Sequence, residues 1–167
     1  MATLTALKFD TADGAGYALN DLVRLHQQQR ITLLDAALVT WPKGKSRPGT
    51  RHGISSVGVS KMDGAFWGML FGLIFFTPLM GASAGAFRDA LSELGIQDKF
   101  IHEVRNKVRE DTSALFVLSS HALANSFADE FKRTKPDLIS TNLPQVEENR
   151  LLELFAQPHP VRAGIRL

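Results

Sequence analysis

The sequence contains no cysteine, which excludes a disulfide framework, a thiolate metal site and a cysteine nucleophile. It also lacks a dominant charge: Lys and Arg number 19 against 17 Asp and Glu, a formal net charge of +2. A balance that close gives no broad electrostatic field for nucleic acid or an acidic partner. Met1 to Asp10 shows neither a basic start, an apolar stretch nor a small-residue cleavage site, so no export signal is expected. Together with the missing cysteine, this fits a cytoplasmic or inner-membrane-associated protein. What is present is ordinary in amount: 167 residues, 44% hydrophobic and 22% charged, enough for one domain with a sizeable core. The distribution is uneven. Every residue from Gly64 to Phe87 is uncharged.

Thr3 to Phe9 is short, apolar and β-prone, the pattern of a buried strand. Thr11 or Asp13 can cap a helix reaching about Arg30, with Ala15, Tyr17, Ala18, Leu19, Leu22, Val23 and Leu25 as its buried stripe. Leu33 to Trp41 reads as a second strand, completing a βαβ unit over residues 1–41 whose two strands run parallel. Pro42 to Lys61 holds Lys43, Lys45, Arg47, Arg51 and Lys61, with four glycines, two prolines and no acid. Residues 42–61 therefore read as a mobile basic loop.

Downstream of the uncharged block, a helix through Leu94 is stopped at Gly95-Ile96 by a left-handed cap. Asp98 starts a shorter helix with Phe100, Ile101, Val104 and Val108 on one face. Residues 111–157 repeat the first theme. They hold a buried strand at Ser113 to Ser119, a helix at Ala122 to Lys132, a strand at Asp137 to Leu143 and a final amphipathic helix at Glu147 to Phe155. Residues 158–167 form an aperiodic tail. Two βαβ units predict an α+β ferredoxin-like sandwich. In it, residues 62–110, a glycine-rich helical hairpin plus a short helix, are inserted between strands 2 and 3. A small parallel α/β sheet is the alternative.

The inserted hairpin is the most distinctive stretch. Gly64, Gly68 and Gly72 recur every four residues, and Gly81 and Gly85 repeat the spacing beyond Thr77-Pro78. Thr caps and Pro fits a first turn, so two helices are expected, Met62 to Phe76 and Pro78 to Leu94. Residues four apart share a helix face, giving each helix a strip of bare backbone. Each interior glycine costs about 1 kcal/mol relative to alanine, and close approach of another helix is the natural offset. Phe66, Trp67, Leu70, Phe71, Ile74 and Phe75 form the apolar face of the first helix. A helix over Met62 to Phe76 is about 22 Å long, short of the roughly 30 Å hydrocarbon core. One unbroken helix from Gly64 to Phe87 reaches about 36 Å and spans it. The hairpin has three destinations: an oligomer interface, a membrane, or the core of the protein itself.

Motifs for chemistry are missing. His26, His52, His102, His121 and His159 are scattered without metal-ligand spacing. Ser113, Ser55-Ser56 and Ser119-Ser120 lack a nucleophile setting. Gly44-Lys45-Ser46 lacks the upstream glycine of a phosphate loop, since position 39 is Val, and Asp13-Gly-Ala-Gly16 lacks the third glycine of a dinucleotide fingerprint. No enzyme activity, cofactor, metal site or small-molecule substrate is expected.

Four stretches carry a family resemblance: Asp63 to Ala82 (DGAFWGMLFGLIFFTPLMGA), Leu94 to Ile101 (LGIQDKFI), Thr112 to Leu118 (TSALFVL) and Leu34 to Val39 (LDAALV). In these the chain resembles the bacterial family called domain of unknown function 1269, up to about Phe155. Members are commonly labelled predicted membrane proteins, and the resemblance implies no activity and no catalytic residues. The expectation is a non-enzymatic protein that self-associates into a homo-oligomer through its glycine zipper. The alternative is a peripheral or integral membrane protein with the hairpin inserted and Lys43, Lys45, Arg47, Arg51 and Lys61 on anionic lipid. Nucleic acid is an unlikely partner, because the basic loop has no interleaved aromatics for base stacking.

Overall fold

The uninterrupted apolar run after Asp111 becomes the centre of a sheet, buried on both faces. The computed structural model of the chain describes residues 2–51, 64–76, 81, 83–120, 137–138 and 145–146. Its elements in order are β1 (Ala2–Phe9), α1 (Gly14–Gln27), β2 (Leu33–Trp41), β3 (Gly49–Arg51), α2 (Gly64–Phe75), α3 (Ser83–Glu93), α4 (Asp98–Lys107), β4 (Thr112–Ser119), β5 (Asp137–Leu138) and β6 (Gln145–Val146). The strand order is β3-β2-β4-β1-β5, with β6 also paired to β1. Every pairing among the described residues is antiparallel, which corrects the parallel-sheet alternative, and the architecture is mixed α+β. β1 and β2 do run parallel to each other, but β4 lies between them, with Ala6 opposite Phe116 and Ala37 opposite Phe116 from the other side.

Alternation along the strands divides the interior in two. Leu7, Phe9, Leu33, Ala36, Leu38, Leu115 and Val117 face α1, which meets them with Ala15, Ala18, Leu19, Leu22, Val23 and Leu25. Leu4, Ala6, Leu34, Ala37, Val39, Ala114, Phe116 and Leu118 face the other way, against α2, α3 and α4. Helices on both faces make three layers. The expected sandwich keeps its helices on one face; here α2, α3 and α4 cover the second.

Local chemistry explains the element ends. Beyond α3, Gly95 takes φ 103, its N–H donates to the Ser92 carbonyl at 3.0 Å, and that of Ile96 donates to Leu91 at 2.9 Å. This is the left-handed cap expected from the sequence, with Ile96 buried. On α1, Tyr17 departs from the expected stripe: it is 63% exposed. The start of α1 is held by Ser113, whose hydroxyl accepts from the Ala15 N–H at 2.9 Å and donates to the Thr11 carbonyl at 2.7 Å. Asp13 occupies the N-cap position without a side-chain capping bond.

The basic segment is not featureless. Lys45 N–H closes a turn onto the Pro42 carbonyl at 3.2 Å, with Gly44 at φ 89. The chain then returns as β3, placing Arg51 opposite Leu38 and Gly49 opposite Thr40. Trp41 Nε1 donates to the Lys45 carbonyl at 2.9 Å, and the Gly44 N–H donates to Glu110 Oε2 at 2.9 Å. Backbone pairing plus these two braces turn residues 41–51 into a hairpin, which corrects the mobile-loop expectation for that part. Lys61, the helix at Ala122 to Lys132, most of the strand at Asp137 to Leu143, the helix at Glu147 to Phe155 and the tail lie outside the described residues.

Candidate interaction surfaces

The aromatic face of the insertion is core. Phe66, Trp67, Leu70, Phe71 and Ile74 are all buried against the sheet, and Phe75 packs half-buried at the margin. Phe71 meets Phe116 of the central strand edge to face, with centroids 5.1 Å apart, and stacks against Trp67 at 5.6 Å. Of the three destinations the sequence left open for the hairpin, the aromatic face of α2 takes the core of the protein itself. Burying each such side chain contributes roughly 1.5–3 kcal/mol, so docking on the chain's own sheet accounts for them.

Two polar contacts fix α2 in place, and neither is obvious from motifs. The first is Asp35, a carboxylate only 1% exposed in the middle of β2. Pairing slips between Leu33 and Asp35: Leu33 opposes Ser119 and Asp35 opposes Leu118. This bulge interrupts the alternation beside Leu34. Asp35 Oδ2 accepts from Trp67 Nε1 at 3.2 Å and Oδ1 accepts from the Ala36 N–H at 2.8 Å. The only sequence signal for it is one acid inside the apolar string Leu33 to Val39. The second contact is Arg105 of α4, which donates through Nε to the Ile74 carbonyl at 3.0 Å and through Nη2 to the Leu73 carbonyl. A guanidinium on the last carbonyls of α2 also opposes the negative end of its dipole.

The glycines divide differently from the aromatics. Gly64 and Gly68 are exposed on α2, whereas Gly72 is buried. Gly85 is exposed on α3 beside exposed Ala86. A Cβ added at Gly68 or Gly85 meets nothing within 4 Å. The two helices touch, but Gly68 and Gly85 are not where they meet; Ala84, Phe87 and Leu91 carry α3 onto the core. Gly81 is not part of a helix: it has φ 59 in the turn before Ser83. The second strip is therefore shorter than expected, and Thr77-Pro78 lies outside the described residues.

Lys43, Lys45, Arg47 and Arg51 are exposed on the β2–β3 hairpin. At its base Trp41 meets Phe75, the last residue of α2, edge to face at 6.2 Å. Basic hairpin and helix end thus adjoin, although Arg51 and Phe75 are far apart in sequence. His26 accepts the Leu33 N–H on Nδ1 at 3.2 Å, a structural task, and His102 is exposed on α4. Among the described residues, no group of three His, Asp or Glu side chains is placed to hold a metal ion, and no helix is long and apolar enough to cross a membrane.

No curated protein and no solved structure matches the chain. One family model does, described as a protein of unknown function (DUF1269), over residues 61–156. That span contains α2, α3, α4 and the central strand β4.

Proposed function

The chain belongs to the DUF1269 family, and on that premise we propose that it is a non-enzymatic protein that self-associates through the open glycine strip of α2 and α3. The body of each copy is a ferredoxin-like sheet, with the inserted helices α2, α3 and α4 covering its second face. The strand order β2-β4-β1-β5 and the helix between β1 and β2 support that reading.

One observation carries the self-association. Gly68 and Gly85 are helical and exposed, and no described residue lies where a methyl group on either would touch it. Alanine at either position has the better helix propensity by about 1 kcal/mol, so packing among the described residues gives no reason for glycine there. A helix of a second copy laid against the bare backbone gives one, because small residues let helices approach closely. The aromatics stay inside each subunit, and the contact is made by Gly64, Ala65, Gly68, Gly85 and Ala86. Light scattering on the detergent-free protein tests this: a discrete particle larger than 18.4 kDa is expected, and Gly68→Leu reduces it. A monodisperse monomer, or an unchanged particle in Gly68→Leu, overturns it.

A second reading has its own observation. The exposed cations sit on a braced hairpin whose base holds Trp41 against Phe75, a basic-plus-aromatic arrangement suited to an anionic lipid surface. Peripheral contact then involves Lys43, Lys45, Arg47 and Arg51, with α2 remaining docked. Sedimentation with phosphatidylserine vesicles measures it: Lys45→Ala weakens binding, salt releases it, and particle size is unaffected. Retention in membranes after alkaline carbonate contradicts a docked α2.

A further inference from the structure

Helix α1 packs on β1, β4 and β2, while β3 carries the sheet on past β2. The overhang leaves an open groove of about 500 Å³ between helix and hairpin, within the size range of small-ligand sites. Asp13, Gly16 and Tyr17 line the helical wall, at spacings that share one face. Leu38 and Arg51, cross-strand partners, line the other.

Three features of this groove lack an internal explanation. Tyr17 is the one large hydrophobic residue exposed among the described residues. Gly16 lies inside α1, yet a Cβ there meets no described residue within 4 Å; its missing side chain keeps the floor open at a cost of about 1 kcal/mol in helix propensity. Arg51 is exposed and makes no ion pair with any described residue.

We propose that this groove binds a small planar aromatic carboxylate, its ring over Gly16 against Tyr17 and its carboxylate on Arg51. A tyrosine face favours an offset ring, and a guanidinium fork matches a carboxylate in a bidentate pair. Asp13 sets the direction: its carboxylate stands at the start of α1, repelling an anion from the helix terminus and leaving the Arg51 guanidinium to take the ligand's carboxylate. One cation and one anion in the same groove suit a monoanion over a phosphate dianion. The site lies on the α1 side of the sheet, away from the glycine strip, so it stands or falls independently of self-association.

Saturation-transfer difference NMR on the full chain tests it with benzoate as probe, and it reads a ligand on a protein of any assembly size. Benzoate receives saturation from the protein, and Gly16→Leu, which fills the floor without a clash, abolishes the effect while leaving the melting temperature equal or higher. Arg51→Gln weakens benzoate at least tenfold, to the level of benzamide. Tyr17→Ala, at an exposed position, provides a second variant if Gly16→Leu does not fold, and loses the signal likewise. No transfer to benzoate, a signal unchanged in these variants, or equal binding of benzamide to the unsubstituted chain overturns the proposal. So does displacement of benzoate by an equal concentration of inorganic phosphate.

Discussion

Gln29 sits at φ 60 just past α1, its N–H on the His26 carbonyl and that of Arg30 on Leu25. This is the same cap that Gly95 makes, but with a residue that has a Cβ, and the left-handed conformation costs such a residue about 1–2 kcal/mol. Gln29→Gly is expected to raise stability by about 1 kcal/mol in urea unfolding, whereas Gly95→Ala lowers it by a similar amount. The sequence marked one cap and hid the other, because glutamine is an ordinary helix residue and only the geometry of its neighbours forces it over. Asp35 was hidden for a related reason. A single acid in an apolar strand has no pattern of its own, and its role depends on Trp67, far away in sequence. Trp67→Phe preserves the ring but removes the indole donor from a buried carboxylate, so a loss of about 1–3 kcal/mol is expected, read by the same unfolding curves.

Helix α2 carries two messages on two faces. Its residues are apolar nearly all round, the mark of a buried helix, while its glycines ask for close approach. Residues alone could not apportion these, because sequence gives the spacing along a helix and not which stripe meets the sheet. Packing puts Phe66, Trp67, Leu70, Phe71 and Ile74 inside and leaves Gly64 and Gly68 outside. Gly68→Ala therefore separates fold from association. It should stabilise the isolated subunit by about 1 kcal/mol and, under the proposed self-association, shift the particle toward smaller species, measured by unfolding and by light scattering on the same sample. Arg105→Met keeps the stem against the core but strips the cap from Leu73 and Ile74; charged hydrogen bonds contribute about 1.5–3 kcal/mol, and a loss within that range is expected. Strand β3 escaped sequence analysis because Gly49, Thr50 and Arg51 show no alternation; pairing with β2 alone makes them a strand.

At the scale of the molecule, the described residues form one sheet with helices on both faces. Helices α2, α3 and α4 form the layer on the second face, so the aromatics of α2 should behave as core. Phe71→Ala is expected to cost about 3–5 kcal/mol and to yield an unstable chain; a well-folded monomer from this variant would contradict the placement of Phe71 against Phe116. The sequence by itself determined the long elements β1, α1, β2, α4 and β4, because hydrophobic periodicity and capping residues act within a few positions of one another. It also marked Gly64 to Phe87 as the unusual segment and pointed to its family. The tertiary structure decided where that segment goes. A bare sheet face and an aromatic helix face are each costly in water, and within one chain they meet at high effective concentration, before any second copy or bilayer. What remains outside is the strip of glycine backbone that the chain's own core does not use.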